Sequence, residues 1–270
     1  MSNFAANTVV PCTGPLKDAL QLIVVASRRF IPEVGFTAHT ARAGIEELRS
    51  ENGIGKGVSP AVKALLASPQ ILSAFPRGVE IALVEDIVRL GNAKAKDLLQ
   101  VSESLATTNS FKGLDELRKA DAEQSTGRAA GAATNGPKSM EEVVYLGLHA
   151  KLAAMAPYIR RWPQAIQLES RPENMPHALV KLAEFCDEIN YYGERAESRR
   201  GSTATAAATT SAVVPLNKGP HTAGLSWYWN RAKIVPLYST AVLHMIADDS
   251  EKYKDTYSFL KWSVKQGFAQ

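Results

Sequence analysis

Cysteine is nearly absent from this 270-residue chain. Cys12 and Cys186 stand far apart, which excludes a disulfide framework and a Cys-x-x-Cys metal or redox pair, and a reducing compartment is the reading that follows. Aromatic residues make up only 7%. Nowhere do apolar residues run uninterrupted for the roughly 18 positions that a spanning helix requires, so no membrane crossing is expected. Charge of one sign is also lacking: 31 Lys+Arg face 27 Asp+Glu, a formal +4, too weak a bias to name a partner by itself. The histidines, His39, His149, His177, His221 and His244, are scattered and show no spacing that gathers a metal. A Gly-x-Ser-x-Gly elbow is missing, and Cys186 falls in an apolar stripe, where a thiol is inert. No residue pattern carries catalysis, so no enzyme activity, metal or cofactor is expected. Met1 to Pro15 holds neither Arg nor Lys, and neither a secretory signal nor a transit peptide is visible.

What is present is an ordinary globular composition, 45% apolar and 21% charged. Two segments are poor in large apolar residues and rich in Gly, Ala, Ser and Thr, one near 112–139 and one near 194–224; both read as flexible insertions, because they bury too little to offset the entropy of ordering them. The organisation expected is a flexible N-terminus over 1–15, a single helical domain over 16–260 carrying both insertions, and a C-terminal tail over 261–270. Spacings of three and four dominate the rest. Val144, Leu148, Leu152, Met155, Ile159 and Trp162 mark one helix; Leu179, Leu182, Phe185, Ile189 and Tyr192 mark a second, with Asn174 as its cap; Ile234, Tyr238, Ala241, Val242 and Met245 mark a third. Earlier helices are predicted over Leu16–Phe30, Thr37–Arg49, Ser59–Ala67 and Val79–Leu105. The fold class is all-α. Pro157 and Pro236 fall inside two of these stripes and predict kinks; the bends read either as helices curving around a core or as room left between them for an apolar ligand.

Two anion-binding readings are weak. Gly53-Ile54-Gly55-Lys56-Gly57 lacks the Gly-Lys-Ser/Thr ending and a preceding strand, so it reads as a turn. A helix-turn-helix drawn from Thr37 through Ala67 carries Arg42, Arg49, Lys56 and Lys63, but Glu46, Glu47 and Glu51 nearly cancel them, and no positive face meets phosphates.

The aromatic-rich stretches point to a family. Ala156-Pro157-Tyr158-Ile159-Arg160-Arg161-Trp162-Pro163-Gln164, Pro172-Glu173-Asn174 and Asp187-Glu188-Ile189-Asn190-Tyr191-Tyr192-Gly193 form one block of motifs. Trp227-Tyr228-Trp229-Asn230-Arg231-Ala232, Leu237-Tyr238-Ser239-Thr240 and Asp255-Thr256-Tyr257-Ser258-Phe259-Leu260 form a second. Together they resemble the ninth coenzyme Q biosynthesis protein family, the lipid-binding accessory proteins of ubiquinone synthesis; Val34-Gly35-Phe36-Thr37 and Phe75-Pro76-Arg77-Gly78 resemble its N-terminal half. Asn190 stands where that family usually has Trp.

The resemblance implies a bundle like that of TetR-type regulators, with a degenerate N-terminal helix-turn-helix that no longer binds DNA and an apolar ligand cavity. It implies a homodimer that binds an isoprenoid quinone intermediate or a phospholipid at the matrix face of the mitochondrial inner membrane. The resemblance further implies that the lipid is presented to the di-iron demethoxyubiquinone hydroxylase of the coenzyme Q biosynthesis complex. The alternative of another class is a TetR-like DNA-binding transcription regulator. By the same resemblance, the patch that meets the hydroxylase matches Asp187, Ile189, Tyr192, Trp227, Tyr228 and Arg231, and Arg231 is also a candidate for a lipid phosphate. The apolar stripes serve core and pocket alike; Leu152, Met155, Leu182, Phe185 and Met245 are the expected cavity residues. Trp262 and Phe268 with Lys261 and Lys265 read either as a short interfacial segment or as a simple terminal helix turn.

Overall fold

Helix starts follow their caps. In the computed structural model, which describes residues 14–50, 59–108, 139–205 and 225–268, α1 (Pro15–Ser27) begins with proline at its first position, where the missing amide costs nothing. A 3-10 turn, Arg28–Phe30, leads into the short α2 (Ile31–Val34). Thr37 caps α3 (Ala38–Arg49) by accepting the Thr40 N–H, and Ser59 caps α4 (Pro60–Ala67) through the Val62 N–H. After the 3-10 turn Ile71–Ala74 comes the long α5 (Val79–Thr108). Ser139 accepts the Glu142 N–H at the start of α6 (Met140–Met155), a Ser-x-x-Glu start with acidic residues facing the helix dipole. The 3-10 stretch Ala156–Arg161, α7 (Trp162–Glu169), α8 (Met175–Thr205), α9 (Leu225–Ala247), a 3-10 turn at Glu251–Tyr253 and α10 (Lys254–Phe268) complete the order. The described residues contain helices and no strand, so the all-α class stands.

They divide into two compact units, one drawn from Met1–Ile87 and Arg160–Met175, the other from Val88–Ile159 and Pro176–Gln270. In the first unit, Ile23, Ile31, Ala41, Ile45 and Leu66 are buried. A Cβ on Gly44 would lie 2.9 Å from the Ser27 backbone nitrogen, so glycine is what lets α3 approach α1 this closely. Gly35 ends α2 at φ 87, a conformation open to residues without a Cβ. Next to it the Phe36 N–H donates to Gln164 of α7 at 3.2 Å, and the Phe36 and Trp162 rings meet edge to face with centroids 5.9 Å apart. Arg28 grips the buried Asp86 with two hydrogen bonds, of 2.5 and 3.0 Å.

Several expectations change. Pro157 does not kink a continuous helix; α6 stops at Met155 and a 3-10 stretch takes over. Pro236 lies inside α9 without ending it. Proline there deprives the Ala232 carbonyl of its intrahelical donor, and both residues are exposed. Asn174 turns its side chain to the Leu168 carbonyl, at 2.9 Å, and to Arg77. The segment read as an insertion from residue 194 is helical to Thr205; Arg195 and Arg199, one turn apart, both pair with Glu103 of α5. The remainder of that segment, the segment near 112–138, the glycine-rich turn at 53–57 and the N-terminal 13 residues lie outside the described residues.

Candidate functional site

The site that the sequence proposes belongs to the second unit, on α6, α8 and α9. Helical periodicity alone decides most of it. Phe185, Ile189 and Tyr192 follow one another at spacings of four and three, which stacks them on one face of α8. All three are buried. Ile189 packs toward Gly147 of α6, where an added Cβ would meet its Cγ1 at 3.0 Å. Ile189 and Tyr192, read from the resemblance as part of the partner patch, lie in the core of this chain, 0% and 6% exposed. Burial also raises the Tyr192 phenol.

Asp187 and Arg231 do come together. The Arg231 Nε donates to Asp187 at 2.5 Å, a second guanidinium nitrogen pairs with the other carboxylate oxygen, and a third bond reaches the Ala183 carbonyl. This fork-on-carboxylate pairing ties α9 to α8. The edge of the Arg231 guanidinium formed by Nε and one terminal nitrogen is thus engaged by Asp187. Tyr228 is 64% exposed. Trp227 lies in the first turn of α9, and its side chain lies outside the described residues. Sequence reasoning missed two exposed aromatics beside these positions, Tyr191 at 52% and Trp229 at 66%. The signal was available for Tyr191, which sits one residue off the buried Tyr192 and is turned by about 100° to the outer face. The Tyr191 hydroxyl accepts from Arg195, whose guanidinium lies over its ring, and that hydrogen bond raises the Arg195 pKa.

The expected cavity residues Leu152, Met155, Phe185 and Met245 are all buried, and Leu182 is half-buried. Among them lies a residue that the sequence reading passed over. Lys151 is 1% exposed, its ammonium 2.7 Å from Asn92 Oδ1 and 4.0 and 4.4 Å from the ring centres of Phe185 and Tyr238. Its place was legible, since position 151 falls three after Leu148 and four before Met155, on the apolar face. Cys186, beside this cluster, is fully buried, and burial pushes its thiol up to about 11, consistent with an inert role.

Asn190 is buried, and among the described residues neither its amide nitrogen nor its oxygen has a hydrogen-bond partner. An unsatisfied buried amide costs about 1–3 kcal/mol. Asn190→Leu, of similar volume and without polar atoms, is expected to raise stability in urea denaturation by roughly 1–2 kcal/mol; a loss of stability would show that the amide is satisfied in solution.

In the first unit, of the basic residues of the helix-turn-helix candidate, Arg49 donates to the Leu66 carbonyl, and the candidate's Glu47 pairs with Arg29. Among the described residues no group of three His, Cys, Asp or Glu side chains is placed to hold a metal, and no helix is long and apolar enough to cross a membrane.

The COQ9 family model matches residues 202–268. The chain is 23% identical over 238 residues to the ubiquinone biosynthesis protein COQ9, mitochondrial, of Rattus norvegicus, covering 88% of this chain and 55% of that protein. It is 22% identical over 239 residues to the Homo sapiens protein of the same name, with 88% and 54% covered. The Xenopus tropicalis protein is 27% identical over 133 residues, 49% of this chain and 34% of that protein. The chain thus spans about half the length of the rat and human relatives, and the matches bear out the family resemblance read from the aromatic-rich blocks.

Proposed function

We propose that this chain is a non-catalytic lipid-binding accessory protein of ubiquinone biosynthesis, working at the matrix face of the mitochondrial inner membrane. It takes an isoprenoid quinone intermediate from the bilayer and presents the head group to the di-iron demethoxyubiquinone hydroxylase. The observation that carries this reading is the similarity over 88% of the chain to mitochondrial proteins named for ubiquinone biosynthesis. The TetR-like bundle and the homodimer implied by the resemblance belong to the same proposal.

The chemistry gives the carrier a reason. Each buried CH₂ of a polyprenyl tail gains about 0.8 kcal/mol over exposure to water, so a tail leaves the bilayer only for another apolar site. An interior with Met155, Met245, Leu152 and Phe185 buried in one unit supplies adaptable apolar surface, because methionine repacks around irregular shapes. Trp262, 61% exposed, stands between the exposed Lys261 and Lys265 on α10, the combination of ring and cation that suits an anionic membrane surface.

Vesicles of phosphatidylcholine and cardiolipin loaded with a polyprenylated quinone test the reading. After the vesicles are removed by flotation, the soluble fraction is expected to carry quinone in proportion to the protein added. Quinone that stays wholly with the vesicles at every protein concentration overturns the carrier function.

A further inference from the structure

Net charge conceals a local bias in the second unit. The chain has 27 carboxylates in 270 residues, yet α9 from Leu225 to Ala247 contains none, and neither does α10 from Thr256 to Phe268. These two helices are neighbours. His244 of α9 stacks on Phe259 of α10 with ring centres 4.7 Å apart, and the Lys233 ammonium lies 5.1 Å from the Phe268 ring centre, so the helices run antiparallel. Along them acid returns only at the connecting turn, with Asp249, Glu251 and Asp255, where Glu251 pairs with Lys254 at 3.8 Å. α10 also packs on α6, whose Glu141 and Glu142 face the amide dipole at its own first turn.

The outer surface of the pair is poor in polar donors as well as free of acid. From Ala232 onward the exposed residues of α9 are Ala232, Pro236, Ser239, Thr240, Leu243 and Ala247, none of them charged. Ser239 donates its hydroxyl to the Val235 carbonyl at 3.0 Å and Thr240 donates to the Pro236 carbonyl at 2.7 Å, so both satisfy their donors within the helix. Such a face leaves water at little cost. Leu243 is 59% and Trp262 61% exposed; the Trp262 ring leans on Phe259 with centres 6.4 Å apart, so these two side chains flank the stacked His244 and Phe259. Lys261 and Lys265 are exposed as well, and among the described residues neither has an ion pair.

The missing charge identifies the occupant. A second copy of the chain would set lysine against lysine with no carboxylate between them, whereas an anionic bilayer supplies negative charge over its whole surface. Tryptophan suits the boundary between headgroup and acyl chain, and lysine lays its stem on apolar surface while its ammonium stays among the phosphates.

We infer that the α9–α10 face is the surface by which this chain docks on an anionic phospholipid bilayer, with Leu243 and Trp262 entering the headgroup boundary and Lys261 and Lys265 meeting lipid phosphates. This deepens the carrier reading and rests on it for the expectation that the chain visits a membrane.

The test floats the full chain with quinone-free vesicles, of phosphatidylcholine alone and of phosphatidylcholine with cardiolipin. Binding is expected with cardiolipin only, and added salt should release it. Lys261→Gln with Lys265→Gln should weaken it at least tenfold, at about fivefold for each charge. Leu243→Ser with Trp262→Ser should weaken it at least tenfold too, with the thermal midpoint kept because both side chains are exposed. Lys63→Gln, exposed on α4 of the first unit, should leave it unchanged. Equal flotation with neutral vesicles, or undiminished binding by the double glutamine variant, overturns the assignment. A changed sedimentation mass with undiminished vesicle binding gives the face to a second copy and overturns it as well. Because the vesicles hold no quinone, the two readings fail separately: a chain that docks through this face yet extracts no quinone supports the docking surface against the carrier function, and a chain that extracts quinone without preferring anionic vesicles overturns the docking surface alone.

Discussion

Replacing Tyr228 and Trp229 together by lysine is expected to abolish retention of the demethoxyubiquinone hydroxylase on the immobilised chain while leaving its thermal unfolding midpoint in place. Both side chains are about two-thirds exposed, so their removal takes little from the core, and exposed substitutions of this kind stay within about ±0.5 kcal/mol of stability. At an interface the same residues weigh heavily. Large aromatics in a desolvated contact are worth about 2–4 kcal/mol each when truncated, so the pair is expected to cost at least a hundredfold in affinity. A variant at Ile189 makes the contrast. Ile189→Ala removes a fully buried side chain and should destabilise the unit by about 2–5 kcal/mol, so any loss of partner binding there reports unfolding. If the double lysine variant binds the hydroxylase as the original does, the outer face at the start of α9 is not the docking surface.

The second large effect concerns Asp248, between α9 and α10. Its two oxygens accept the Ser250 N–H and the Thr256 N–H, each at 2.8 Å, and the Thr256 hydroxyl as well. The turn they hold is otherwise unfavourable, because Lys252 and Tyr253 are consecutive non-glycine residues in the left-handed region, at φ 56 and 57. Burial by itself raises this carboxyl, but the hydrogen bonds from Ser250 and Thr256 outweigh it and hold it at about 2. A carboxyl depressed in the folded state adds stability that is complete above its ordinary value, near 4, and is lost as the pH falls toward 2. At about 1.4 kcal/mol per pKa unit, the loss is about 2 kcal/mol. Asp248→Asn sets an amide NH₂ against donors and should cost about 2–3 kcal/mol at neutral pH. The difference between the two proteins in urea unfolding should then narrow as the pH falls from about 4 to about 2. Parallel pH curves would show that Asp248 is not the group responsible.

How much of this was legible depended on which force decided each element. Helices over 16–30, 37–49, 59–67 and 79–105 are marked by periodicity and by Thr37, Ser59 and Pro60, and the structure keeps them to within a few residues. The start of α6 was less visible, because Ser139 and Met140 lie beside a Gly/Ala-rich stretch. Composition misled at 194–205. Small residues bury little, but Arg195 and Arg199 carry α8 onward through Glu103, a long-range pairing that local composition does not reveal. The candidate patch held a conflict from the outset, since Ile189 and Tyr192 continue the stripe of Phe185; periodicity prevailed, and the exposed Tyr191 is their neighbour. Lys151 shows the converse, a charged residue placed by its register on an apolar face, whose partners Asn92, Phe185 and Tyr238 come from three helices distant in sequence.

The family resemblance and these buried apolar residues meet in one claim, that the chain carries an isoprenoid lipid. Organic extraction of the purified chain followed by mass spectrometry tests it most directly. Isoprenoid quinone species or phospholipid are expected in near-stoichiometric amount, absent from a mock purification. Recovery of neither, from a folded protein that has been exposed to membranes during its expression, would contradict it.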